Sequence, residues 1–255
     1  MNEENKKYES HGNNWSAFTD NFDTAKIIEL AKTVVEDKKS IFKKNGDFLG
    51  TIGFESPLRV LALSLIEKEN AKLYSLYPFF QVSNPVNVEI SKIHEWSNKG
   101  EAVIEGSIGG VAVNFFDTLY FLNKEKYKIG GTYQFNISGL AHSFTKRTKD
   151  LQFVADSGPI KGEKFDTTRV TSYIPNHVFG GEFSYYSPFE SFSGIVESLG
   201  SKFYHYPFYL RNIEDGIAFS FPLFVREQIL GDYKPEINDP IAGTGWLQGY
   251  LIGSL

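Results

Sequence analysis

The chain contains no cysteine. That excludes disulfides, thiolate nucleophiles, iron–sulfur clusters and cysteine zinc sites, and it favours a reducing compartment. No run approaches the roughly 18 consecutive apolar residues of a membrane-spanning helix. Met1 to Trp15 are polar and hold no apolar core of the kind a signal peptide needs. These absences together lead to the expectation of a cytoplasmic protein without a membrane partner.

An excess of basic charge is also missing. Lys and Arg number 26 against 31 Asp and Glu, a net charge of −5. Nucleic-acid binders neutralise phosphates and usually carry a basic footprint. A local cluster at Lys146, Arg147 and Lys149 reads as a solvated turn. Nucleic acid is therefore a disfavoured partner, and a protein partner is expected.

Signatures of common chemistry are missing too. The sequence has no phosphate-binding G-x-x-x-x-G-K-[ST] loop, no G-x-G-x-x-G, no H-E-x-x-H and no EF-hand loop. It has no G-x-S-x-G nucleophile elbow. None of the histidines, His11, His94, His142, His177 and His205, lies four residues from another, so no helix turn presents a metal-binding pair. No cofactor, metal or catalytic residue is assigned. Asp117 and Asp239 stand at strand or loop boundaries and read first as turn or cap residues.

What the sequence has in quantity is aromatic residues: 23 Phe, 14 Tyr and 3 Trp among 255. Aromatic and β-branched side chains suit pleated surfaces, so the expected class is mainly β. The length fits one large domain or two small ones.

Residues 1–20, polar with isolated aromatics, read as disordered. The spacing of Ile27, Ile28, Leu30, Ala31, Val34 and Val35 predicts a helix over 22–38, capped by Asp23 or Thr24 and ending toward Lys43–Gly46. Residues 58–82 are ambiguous and read best as two strands joined by a turn. From Val86 onward strands alternate with turns at Asn98–Gly100, Gly109–Gly110 and Asp215–Gly216. Residues 145–191 read as a loop-rich connector. Pro222 is expected at an edge or bulge of its strand.

Two stretches share one plan of three strands, a polar connector and a closing strand. Val111–Phe116 corresponds to Ile217–Phe221, Tyr127-Lys128 to Tyr233-Lys234, and Gly139-Leu-Ala to the Trp246-Leu-Gln-Gly stretch. The plan is similar to the OB-fold, a five-stranded small barrel. The expected architecture is two tandem OB-like barrels with an N-terminal helix. They would occupy residues 21–144 and 192–255, with 145–191 between them. The alternative is one larger antiparallel β-sandwich or barrel.

Such barrels bind on the face of their second and third strands. In the second unit this singles out Tyr206, Tyr209 and Arg211. Phe183 to Phe192 holds aromatics that could anchor a partner, Tyr185, Tyr186 and Phe189 among them. Trp246, in the glycine-dense Gly243–Gly249 segment, reads as core or as a stacking platform. The functional expectation is a non-enzymatic binding or adaptor protein acting through protein contacts. The alternatives are single-stranded nucleic-acid binding and an enzyme with a dispersed site.

Overall fold

The computed structural model describes residues 9–11, 13–20, 23–54, 57–67, 70–147, 152–154, 164–166, 171–177, 180–198, 200–212 and 216–255. The molecule is mainly β, with few and short helices. Among the described residues no helix is long and apolar enough to cross a membrane.

Helix α1 spans Thr24–Glu36, and the Asp23 carboxylate accepts from the Ala25 and Lys26 amides at its start. Its buried stripe is narrower than the sequence indicates. Ala31 and Val34 are buried and Ile27 and Leu30 pack at the margin, while Ile28 and Val35 stay exposed. The helix packs on only one sheet face, so residues at the border of its apolar stripe remain in solvent. It ends well before Gly46. That glycine instead turns a hairpin that the sequence reading did not separate from the helix, with φ +57.

The hairpin opens a four-stranded antiparallel meander in the order β1 (Ile41–Asn45), β2 (Phe48–Gly53), β3 (Leu58–Glu67) and β4 (Asn70–Phe80). The stretch 58–82 is thus two strands, as its turn residues indicate.

A second, larger sheet begins with β5 (Pro85–Glu95), β6 (Ala102–Ile108) and β7 (Val111–Asp117). After the short helix α2 (Tyr120–Asn123) and a 3₁₀ turn come β8 (Thr132–Ala141) and β9 (Thr145–Lys146). β10 (Gln152–Val154) and β11 (Lys164–Asp166) pair separately with each other. β12 (Ser172–His177), β13 (Glu182–Pro188), β14 (Gly194–Ser198), β15 (Ser201–Asn212) and β16 (Gly216–Arg226) rejoin the large sheet. Helix α3 (Glu227–Leu230) leads to β17 (Pro240–Leu251). The order is β12-β13-β17-β7-β6-β5-β8-β16-β15-β14, with β8 also paired to β17 and β9 added on β17.

This topology changes the expected architecture. Strands from both predicted units, and β12 and β13 from the predicted connector, lie in one sheet with β12 and β14 at the ends of its order. That sheet as a whole is not a barrel. The reason lies in β17, which pairs in parallel with β7 and antiparallel with β8, β9 and β13. Its 12 residues take these partners in succession, β13 and β9 along Pro240–Trp246 and β8 and β7 along Leu247–Leu251, and its glycines let neighbours approach closely. A Cβ on Gly243 would lie 2.1 Å from the Ser143 carbonyl oxygen, and one on Gly249 would lie 2.5 Å from Ile137 Cδ1.

β16 lies between β8 and β15 in the sheet order, Pro222 faces Pro207 across the β15–β16 pair, and its outer side is a local edge. Neither proline has an N–H, so the two can face each other only where no ladder bond is exchanged. On the outer sides, β14 reaches β15 only at Ser201–His205, and β8 reaches β16 only at Leu223 and Phe224. The prolines sit where both neighbours have stopped.

Two aromatic cores result. One fills the seam between the sheets and includes Tyr77, Phe80, Phe116, Phe203, Phe224 and Trp246. The other lies on the opposite side of the large sheet and includes Phe115, Phe135, Phe183, Tyr185, Phe221 and Leu247. Phe115 and Phe116 are neighbours in sequence but enter different cores, as alternation along a strand requires. β7 and β17 are therefore buried on both faces.

Residues 9–11 and 13–20 correct the expectation of a disordered N-terminus. They form a 3₁₀ turn at Asn13–Ala17, and His11, Trp15, Ala17 and Phe18 are buried in the seam. Polar average composition hid three apolar side chains spaced to cover one surface.

Phe80 stacks on Phe224 with ring centroids 3.6 Å apart and planes 5° from parallel. Phe80→Ala is expected to lower stability by about 3–5 kcal/mol, read by urea unfolding. A loss under 1 kcal/mol would mean that the seam closes without this contact.

Candidate functional site

Among the described residues two clefts border the seam, one past the end of β4 and one beside Leu73–Leu76 within it. The first opening lies past the end of β4 and holds about 460 Å³. Its walls are the 82–84 segment on one side and the outer faces of β15 and β16 on the other. His205, Pro207 and Tyr209 alternate along β15 to face it, with Ser220 and Pro222 across the pair. The groove exists because Phe203 and Phe224, further along the same faces, are covered by Phe80 and Phe18, whereas the next residues are not. The Asn84 side-chain amide donates to the Ser220 carbonyl (2.9 Å) and fixes the rim.

This groove is nearly free of charge. Among the described residues that line it, none is Lys, Arg, Asp or Glu. His205 stacks on Phe224 at 5.2 Å, and burial lowers its pKa, so the imidazole is neutral at pH 7. What the walls offer is an aromatic ring, two proline rings and several neutral hydrogen-bonding groups.

The second opening holds about 620 Å³ beside the first half of β4. His11 and Glu101 meet at its base, Nε2 to Oε1 at 2.6 Å. Ser75 Oγ donates to the same carboxylate at 2.8 Å, as does the Asn98 amide. The serine bonds to the acid and not to the imidazole, so the three groups do not form a Ser–His–acid relay.

The sequence-derived candidates divide between surface and core. Tyr209 lines the groove. Tyr186 is half-buried, with the Arg147 guanidinium 5.2 Å from its ring centre. Arg211 lies on β15, and its side chain falls outside the described residues. Tyr185, Phe189, Tyr206 and Trp246 are buried and present no free surface. Tyr185 donates to the Ser143 carbonyl at 2.7 Å, and Tyr206 donates to that of Pro188 at 2.8 Å while stacking on Phe189. The aromatic stretch 183–192 is thus strand β13 followed by a packed corner, and not an exposed anchor loop. Phe183 and Tyr185 are buried on one face of β13, and Tyr186 on the other face is half-buried.

Residues the sequence reading passed over do more. Asn84, His205 and Pro207 shape the groove, and His11, Ser75, Asn98 and Glu101 build the cleft. The contributing signal was faint: a polar N-terminus with one histidine, and a glutamate directly after a turn.

Asp117 accepts from Tyr127 of the connector after it, at 2.6 Å, and Asp239 accepts from Tyr233 of the connector before it, at 3.0 Å. Lys146, from the predicted basic cluster, pairs with Asp239. Among the described residues no group of three or more His, Asp or Glu could hold a metal ion.

Comparison with known proteins returns no match: no protein-family model, no curated protein and no solved structure matches the chain. The functional reading therefore rests on the residues themselves.

Two buried groups set opposite pH dependences. Burial holds His142 down to about 4, below the unfolded value near 6.5, so its contribution is lost as pH falls from about 6.5 to 4. Burial pushes Asp117 up to about 7 against hydrogen bonds from Tyr127 and Leu119, so stability falls as pH rises from about 4 to 7. The two largely offset each other in the native chain. Asp117→Asn is expected to unmask the acid loss and to gain stability at pH 8. His142→Gln is expected to leave a chain that weakens as pH rises. Urea unfolding at pH 4.5, 6 and 8 should show differences on the order of 2–4 kcal/mol. Parallel curves for all three proteins would refute the assignment.

Proposed function

We propose that this chain is a non-enzymatic binding protein that captures a protein or peptide segment in the β15–β16 groove. The observation that carries the reading is the groove's chemistry. Tyr209, Pro207 and Pro222 give rigid apolar contacts, His205 is neutral, and Asn84, Ser193 and Ser220 supply neutral hydrogen-bonding groups. Such a surface suits an uncharged stretch of polypeptide, because aromatic anchors bind at little entropic cost. Among its described lining residues there is no cation for phosphate binding, which makes single-stranded nucleic acid the weaker alternative.

The strand pairings support a finer architectural reading. β5, β6, β7, β17 and β8 pair in a circuit that returns to β5, with β7 and β17 parallel and a helix between β7 and β8. The second stretch follows the same plan. The chain from β13 into β14 pairs with β15, then come β16, β8 in parallel, and β17, which returns to β13. We read these as two interlocked OB-like units, each using the other's fourth strand as its fifth. The internal repeat in the sequence then corresponds to this exchange. On this reading β15 and β16 are the second and third strands of the second unit, the face on which such barrels bind.

Removing residues 183–192 would excise β13 from the sheet, so point changes are the instrument. With a photocrosslinker at Tyr209 in the cells of origin, the reading expects a defined protein adduct. Tyr209→Ala should then weaken that purified partner's binding at least tenfold, with unfolding unchanged. Unchanged affinity would overturn the site. Salt-sensitive binding of a 16-mer single-stranded oligonucleotide, lost in the same variant, would favour the alternative.

A further inference from the structure

The His11 side chain sits inside a box of aromatic rings. Tyr77, Trp96, Phe116 and Trp246 place their ring centres 4.7, 4.9, 4.8 and 5.5 Å from the imidazole centre. All four are buried, and they come from both sheets: Tyr77 from β4, Trp96 from the turn after β5, Phe116 from β7 and Trp246 from β17. The box is closed by the Glu101 carboxylate, itself 1% exposed and aligned by Ser75 and Asn98.

Several aromatic faces around one buried carboxylate is an arrangement that attracts an organic cation. Ring quadrupoles hold positive charge more strongly when it is desolvated. Ser75 and Asn98 give the buried carboxylate hydrogen bonds but no countercharge, so a positive or proton-donating occupant is favoured beside it. The occupant here belongs to neither sheet. His11 rides on the N-terminal segment; its imidazole bonds Glu101 through Nε2, and Nδ1 has no hydrogen-bond partner among the described residues. The cleft beside it reaches His11, Trp96 and Glu101 from solvent, so the box has an entrance.

We propose that this box is a recognition site for an organic cation of side-chain size, an alkylammonium or imidazolium, and that His11 fills it in cis. The site is separate from the β15–β16 groove. A partner's cationic side chain takes the box when the N-terminal segment withdraws.

The test uses the full chain carrying His11→Gly, titrated with tetramethylammonium chloride and followed by tryptophan fluorescence and thermal unfolding. Neopentyl alcohol serves as the neutral shape control and sodium chloride as the salt control. The expected result is saturable binding of the cation at least tenfold tighter than of the alcohol. Adding Glu101→Gln should remove that preference. Equal binding of cation and alcohol, or a folded variant that binds neither, overturns the proposal. Should His11→Gly fail to fold, His11→Lys and His11→Met decide. The proposal expects the lysine variant to fold and melt higher than the methionine variant, and the reverse order overturns it.

Discussion

The pairing of β17 with four other strands is the constraint on which the rest of the molecule depends. It forces parallel contact with β7, brings β8 and β13 onto one strand, and turns two sequence units into one sheet. The glycines along it are the enabling chemistry. Gly243 and Gly249 lie where a single methyl group would collide with backbone or core atoms. Close approach of backbones is a common reason for glycine within a strand.

Because β17 and β7 are buried on both faces, their neighbours must supply two cores. This accounts for the aromatic abundance better than a binding surface does. Phe, Tyr and Trp bury large areas per residue, and two layers of them can be filled by few side chains. The consequence for function is that surface aromatics become informative. Among the described aromatics Phe42 and Tyr74 are exposed, and Tyr209 is half-buried in the wall of its groove.

Much of the fold was legible in the sequence. Alternating apolar residues marked β5 to β8 and β15 to β17, and Asp23 marked the start of α1. The β1–β2 hairpin was not legible, since Ile41–Gly53 mixes lysines with apolar residues and follows a helix directly. Pairing partners were not legible either. A strand's pattern shows which faces are buried but not which strand lies alongside. For that reason Tyr185 and Phe189 looked available in sequence and prove buried, whereas Trp246 is buried as its core reading expected. The candidate sites were half legible. Tyr209 followed from strand order within a unit, whereas His11 and Glu101 lie 90 residues apart and meet only through tertiary structure.

The N-terminal segment is fastened at both ends, by His11 to Glu101 and by Asp20 to Arg226, partners 90 and 206 residues further on. Trp246 of its aromatic box comes later still. During synthesis these early residues leave the ribosome long before any surface exists to receive them. Contacts of such wide sequence separation form slowly, because the loops they close must be ordered first. The seam is therefore a late event in assembly. Until it closes, Trp15 and Phe18 stay exposed on the nascent chain, where chaperones that recognise apolar segments can bind them.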